Sequence, residues 1–162
     1  MSGWEQVAVE VSPRLRRVAF LLVADADEAD DVVAEAIARC VPHLQRGTAQ
    51  DPVAYLVRSV VNVATSWRRR RAVQRRVFPL LRPAAPVPVE EHRVVARLAM
   101  VAALRGLPAR QRAVLVLRYY EDFSEAEIAE ALGISAGSVK THASRGLAAL
   151  RDLLDAAERS SR

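Results

Sequence analysis

The side chains best suited to chemistry in this sequence are polar and basic groups that hydrogen-bond well to nucleic acid. At about 100° per residue, a helix that follows Ser135 carries an apolar stripe centred between Val139 and Ala143. Its opposite side is small and polar at first and basic further on, as a helix that enters the major groove requires. The set predicted to contact DNA is Ser138, Lys140, Thr141, His142, Ser144 and Arg145.

A second polar and basic set lies on a helix predicted to begin at Asp51. Opposite the buried stripe of this helix are side chains that can stack on or hydrogen-bond to unpaired bases, and the arginines at 68–71 can neutralise phosphates. The alternative is a solvated helix end, where the helix dipole favours arginine. The predicted set is Tyr55, Arg58, Asn62, Thr65, Ser66, Arg68 and Arg69.

An acidic helix face stands apart from these two basic sets. The helix near 27–44 presents Asp31, Glu35 and Ala38 away from its apolar side. The whole chain has a net charge of +5, which favours a polyanionic partner, either nucleic acid or an anionic membrane. An acidic face in such a chain suits a positively charged protein. For this segment by itself, an ordinary solvated face is the favoured interpretation.

The motifs of enzymes and metal proteins are missing from the sequence. Cys40 is the one cysteine, the three histidines are far apart, and no nucleophile–base set or glycine-rich phosphate loop is present. We therefore predict no catalytic activity, no metal and no cofactor. The apolar run at 18–24 is too short to span a bilayer. We expect a cytoplasmic, nucleoid-associated protein with no membrane partner.

Helical periodicity extends through the first half of the chain. It predicts helices near 13–24, near 27–44 and from Asp51, where Asp-Pro is a strong helix start. Pro42 should end or bend the second helix near its last turn. The predicted buried stripes are Leu15, Val18 and Leu22, then Val33, Ala36, Ile37, Cys40 and Leu44, then Leu56, Val60, Val63 and Trp67.

The pattern stops between Val77 and Glu91, where Pro79, Pro83, Pro86 and Pro88 fall within ten residues. Proline at this density disfavours helix and favours an extended tether. The chain is therefore predicted to be all-α, with two small helical domains joined by a Pro-rich linker. The predicted boundaries are 1–76, 77–91 and 92–162.

The second half contains the most specific local pattern. Helices are predicted near 91–105 and from about 109 to 121. Ser124 and Glu127 then form a capping box, Gly133 suits a left-handed turn, and Ser135 can cap the next helix. Two short helices joined by such a turn form a helix-turn-helix. The stripe predicted for its second helix is Val139, Ala143, Leu147, Leu150 and Leu154.

With these motifs, the chain resembles an extracytoplasmic-function sigma factor, group 4 of the sigma-70 family, of the actinobacterial SigE-like type. The resemblance covers roughly 14–71 and 93–155. Residues 107–115, 118–124 and 138–141 resemble the fourth sigma domain. Residues 29–35 are similar to the family's clamp-binding helix, and 55–58, 62–64 and the arginine run are similar to its strand-opening helix.

The resemblance implies a sigma factor that directs RNA polymerase core to specific promoters and opens the strands there. The set from Tyr55 to Arg69 would capture bases of the −10 element, and the set from Ser138 to Arg145 would read the −35 element. The β′ clamp and the β flap of the polymerase would be protein partners, as would an anti-sigma factor. The residues implied at the clamp are Asp31, Ala34, Glu35 and Ala38.

Two residues depart from the family pattern. Ala34 stands where the family usually has Gln, which predicts a weaker polymerase contact, and Pro42 stands at a position that is usually helical. The alternative function is a LuxR-type transcriptional regulator, which has a similarly spaced helix-turn-helix. Such regulators usually carry a receiver or ligand-binding domain, and residues 1–92 lack the strand–helix alternation of one.

Overall fold

The computed structural model describes residues 3–77 and 93–160, with side chains described for all of these except 68–77 and 93–95. Every regular element within the described residues is helical, which confirms the predicted all-α class. The helices are α1 (Gly3–Val23), α2 (Ala26–Gln45), α3 (Pro52–Val77), α4 (Arg93–Gly106), α5 (Ala109–Leu115), α6 (Glu125–Leu132) and α7 (Ala136–Ser160). A π-helical turn, Val116–Tyr120, continues α5.

Aspartate side chains begin two of the N-terminal helices. The Asp25 carboxylate accepts a hydrogen bond of 2.9 Å from the backbone N–H of Glu28 at the start of α2. Asp51 accepts one of 3.0 Å from the N–H of Ala54, directly before Pro52 at the first position of α3. These bonds satisfy N–H groups that have no partner within the helix. The predicted helix start at Asp51 is confirmed.

The predicted start of the first helix was wrong, whereas the predicted extent of the second, near 27–44, agrees with α2 (Ala26–Gln45). Helix α1 begins at Gly3 rather than near residue 13, because Trp4 and Val11 pack against the core and extend the helix through Pro13. Helix α2 runs to Gln45, so Pro42 does not end it. The burial of Cys40 and Leu44 holds this last turn against the core.

Helices α1, α2 and α3 pack against one another in pairs around an apolar core. Within the predicted stripes, Ile37 and Trp67 are only partly buried and all the others are buried. Helix α3 also buries a second row, Val57, Val61 and Ala64, which the single predicted stripe omitted. A helix buried along two rows needs neighbours on more than one side.

The C-terminal half supplies further neighbours. Helix α3 contacts α5 and α6, and α1 contacts α4 and α5. One continuous apolar cluster extends from Leu15 through Leu117 to Ile128 and Val139. We call this contact between α1–α3 and α4–α7 the closed packing. The predicted tether at 77–91 lies outside the described residues except for Val77, the last residue of α3.

Candidate nucleic-acid interface

The helix-turn-helix is fixed by local hydrogen bonds at the predicted positions. The Ser124 hydroxyl accepts a bond of 3.2 Å from the Glu127 N–H, and the Glu127 carboxylate accepts one of 2.7 Å from the Ser124 N–H. This backbone hydrogen bond lowers the pKa of Glu127. Gly133 has φ +62°, the left-handed conformation that favours glycine. Ser135 then accepts a bond of 3.1 Å from the Ser138 N–H, which caps α7.

Ser124→Ala is expected to lower the free energy of unfolding by about 0.5–2 kcal/mol, because it leaves an N–H at the start of α6 without an acceptor. Urea unfolding followed by far-UV circular dichroism measures this change. Ser124→Thr keeps the hydroxyl and serves as the control. A loss as large in the threonine variant would assign the effect to something other than the cap.

The polar face of α7 points to solvent. Lys140, Thr141, Ser144 and Arg145 are exposed, while Ser138 and His142 are half-buried. The Thr141 hydroxyl donates a bond of 3.0 Å to the Gly137 carbonyl of its own helix. The exposed side chains can therefore approach the edges of bases without disturbing the fold.

The inner face of α7 differs from its predicted stripe. Val139 and Ala143 are buried, but Leu147 is exposed and Gly146 is buried in its place. The cause is the close approach of α5, since a Cβ on Gly146 would lie 3.2 Å from Leu115. Leu150 and Leu154 are half-buried. The predicted position of Leu147 on the buried stripe was therefore wrong.

The second predicted set, on α3, is only partly presented to solvent. Asn62 and Ser66 are exposed, whereas Tyr55, Arg58 and Thr65 are half-buried. The Tyr55 ring meets the ring of His43 edge to face at 5.7 Å. The Thr65 hydroxyl donates to the Val61 carbonyl at 2.8 Å. The side chains of the other two predicted residues, Arg68 and Arg69, lie outside those described.

The acidic face on α2 is largely accessible. Asp31, Ala34 and Ala38 are exposed, and the less exposed Glu35 forms an ion pair with Arg39 one turn further on. This pair reduces the net negative charge of the face and leaves Asp31 as its exposed acid.

Sequence reasoning missed a charged group beside the helix-turn-helix. The two carboxylate oxygens of Glu125 face Arg118, at 3.3 Å, and Lys140, at 3.8 Å. Arg118 also lies over the Tyr119 ring, 5.7 Å from its centroid. Glu125 of α6 therefore links Lys140 of α7 to Arg118 of the π-helical turn that continues α5. The Arg-Tyr-Tyr run at 118–120 was the available signal, although nothing in the local pattern revealed that Glu125 contacts both Arg118 and Lys140.

Residues 3–77 and 93–160 contain neither a metal-binding cluster nor a membrane-spanning helix. No group of three or more histidine, cysteine, aspartate or glutamate residues there could hold a metal ion. No helix in the same ranges is long and apolar enough to cross a membrane.

The structure thus defines a class of protein, a helical nucleic-acid-binding protein with a helix-turn-helix in its second half. Residues 8–74 match the family model described as Sigma-70 region 2, and residues 97–150 match the model described as Sigma-70, region 4. The chain belongs to the sigma-70 family. It is a sigma factor, which directs RNA polymerase to promoters. The LuxR-type alternative is set aside because the sigma-70 models match both halves of the chain and not the helix-turn-helix alone.

Individual relatives agree with this assignment. The RNA polymerase sigma-E factor of Streptomyces coelicolor is 36% identical over 151 residues, which cover 91% of this chain and 84% of that protein. The ECF RNA polymerase sigma factor SigL of Mycobacterium tuberculosis is 34% identical over 142 residues, covering 85% and 80%. The sigma factor RpoE of Bartonella quintana, solved with the anti-sigma factor NepR, has the same fold, with a TM-score of 0.77, 23% identity and coverage of 96% and 98%.

Proposed function

We propose that this sigma factor divides promoter recognition between two domains, 1–76 and 92–162, joined by a linker at 77–91. The first would bind the −10 element through the α3 set and open the strands. The second would read the −35 element through the α7 set. The observation that carries this proposal is the exposed polar and basic face of α7, whose opposite face anchors it in the fold.

The polymerase contact is assigned to the exposed face of α2. A basic surface of the β′ clamp would bind this face, since opposite charges steer and orient protein partners. The residues proposed to make the contact are Asp31, Ala34, Glu35 and Ala38. The other side of the second domain would rest on the β flap. The protein would act in the cytoplasm, on the nucleoid, and would catalyse no reaction itself. An anti-sigma factor is a further proposed partner, by analogy with the Bartonella protein.

In vitro transcription with core polymerase on a library of genomic templates tests this function. We expect the purified chain to start transcripts at a defined set of sites that share a −10 and a −35 sequence. Core polymerase without the chain is the control. Initiation that stays unselective when the chain is added would contradict the proposal.

Arg145→Ala is expected to weaken binding to the −35 element by about 1–3 kcal/mol, if its guanidinium hydrogen-bonds to a base. Footprinting of the upstream element with the polymerase holoenzyme measures the loss. Arg151→Ala removes an exposed arginine further along α7 and is the matched control. If holoenzymes with Arg145→Ala and Arg151→Ala protect the −35 element equally, Arg145 does not hydrogen-bond to a base there.

Asn62→Ala is expected to impair strand opening more than duplex binding, because the exposed amide is proposed to hydrogen-bond to an unpaired base. Permanganate reactivity of unpaired thymines reports opening, and a gel shift of the closed complex reports binding. Gln6→Ala truncates another exposed amide, on α1, as the control. Permanganate patterns identical to wild type would contradict this role.

A further inference from the structure

The α3 surface proposed to contact unpaired bases begins with an aromatic ring that meets a ring of another helix. Tyr55 is half-buried in the first turn of α3, and His43 is exposed in the last turn of α2. Their ring centroids are 5.7 Å apart and the ring planes are inclined at 64°. Aromatic pairs prefer such an edge-to-face arrangement. The His43 ring therefore restricts the orientations that are open to the Tyr55 ring.

The connection between α2 and α3 fixes the backbone on which the two rings stand. The His43 carbonyl accepts hydrogen bonds from the Thr48 N–H, at 3.3 Å, and from the Thr48 hydroxyl, at 3.1 Å. Gly47 has φ +64°, the left-handed conformation that favours glycine. The Asp51 carbonyl then accepts a bond of 3.0 Å from the Tyr55 N–H. The connection is thus hydrogen-bonded at both ends, which keeps the two rings in register.

Tyr55 shares one face of α3 with two exposed members of the set proposed to bind single strands. At about 100° per residue, Asn62 and Ser66 each lie within about 20° of Tyr55 around the helix axis. Both side chains are exposed. A single strand that follows this face would therefore meet the Tyr55 ring, the Asn62 amide and the Ser66 hydroxyl in turn.

We propose that His43 is a positioning residue for strand opening, whose imidazole holds the Tyr55 ring in the orientation that stacks on an unpaired base. This inference rests on the proposed role of Tyr55. A base that binds a freely rotating ring has to immobilise it, at a cost in side-chain entropy. The contact with His43 removes part of this cost before the DNA arrives. It therefore stabilises the open complex and leaves the closed complex, in which the bases are paired, unchanged.

Permanganate reactivity of the polymerase holoenzyme on a promoter found with the template library tests this role. His43→Ala is expected to lower the equilibrium constant for opening about two- to tenfold, the range for one aromatic pair. The gel shift of the closed complex should not change. His43→Phe keeps an aromatic ring at this position and should restore opening. Gln45→Ala truncates an exposed side chain in the same turn and is the matched control.

The comparison among these variants decides the outcome. A loss in His43→Ala no larger than in Gln45→Ala overturns the proposal, and so does a phenylalanine variant that opens as poorly as the alanine variant. Far-UV circular dichroism of each variant shows whether α2 still forms. If the alanine variant does not fold, the phenylalanine variant and the ring contact described below still decide.

A double-mutant cycle separates positioning from a direct contact of His43 with DNA. In a Tyr55→Leu background, His43→Ala should cause no further loss of opening, because the ring that His43 orients is absent. A loss of the same size with and without the Tyr55 ring overturns the proposal. Nuclear Overhauser effects between the two rings of the free chain check the contact itself. Their absence in the wild type would also overturn it.

The two kinds of failure can be told apart. If Tyr55→Leu alone leaves opening unchanged, Tyr55 does not stack on a base, and the positioning role of His43 is rejected with it. Selective initiation by the wild-type holoenzyme on the template library is a separate measurement. It decides the proposed function whatever the ring pair contributes.

Discussion

Arg112→Met is expected to lower the free energy of unfolding by about 3 kcal/mol or more, because Arg112 is a fully buried arginine that binds four backbone carbonyls. Its guanidinium donates to Leu22 at the end of α1, to Leu104 and Arg105 in the last turn of α4, and to Leu107 just beyond it. Methionine has a similar length but no donors.

The helix ends explain how this cation is tolerated in the core. The last carbonyls of a helix have no partner within it and carry partial negative charge. Arg112 satisfies carbonyls from two helix ends at once and therefore joins the N-terminal half to the C-terminal half. Without it, the carbonyls of Leu22, Arg105 and Leu107 lose this donor, each at a cost of about 1–3 kcal/mol unless water reaches them, whereas the Leu104 carbonyl keeps its bond from the Leu107 N–H.

Urea unfolding measured by circular dichroism checks this value. Arg110→Met makes the same substitution on the exposed side of α5 and should change stability by no more than about 0.5 kcal/mol. If the two variants lose equal stability, the carbonyl contacts of Arg112 contribute nothing specific.

Local signals predicted the helix-turn-helix well. Three of its features depend only on neighbours within a few residues and can therefore be predicted from the sequence alone. They are the capping box at Ser124, the left-handed turn at Gly133 and the cap at Ser135. The start of α3 after Asp51 was predictable for the same reason.

Contacts between the halves were not predictable in this way. Arg14 and Glu121 are 107 residues apart, and nothing in the local pattern distinguishes Arg14 from other surface arginines. Helical periodicity gives the direction of one apolar stripe, so it identified Val60 but not the second buried row with Val61. The half-burial of Arg58 has the same origin, since it depends on α6.

Gly146, rather than Leu147, lies on the inner face of α7, and a larger residue at this position should cause the second large loss of stability. Gly146→Val is expected to lower the free energy of unfolding by about 1–3 kcal/mol, the usual cost of overpacking. A Cβ at this position would lie 3.2 Å from Leu115 Cγ and 3.4 Å from the Gln111 Cβ. Valine adds two more methyl carbons there, so α5 and α7 would have to separate.

A second glycine on the same helix gives the matched control. Gly137 is exposed in the first turn of α7, and an added Cβ would meet nothing closer than 3.9 Å. Gly137→Ala should therefore raise stability by up to about 1 kcal/mol, since alanine loses less backbone entropy in a helix. Thermal unfolding of both variants separates the two contributions. A stability for Gly146→Val equal to or above wild type would show that α5 can move away from α7 without cost.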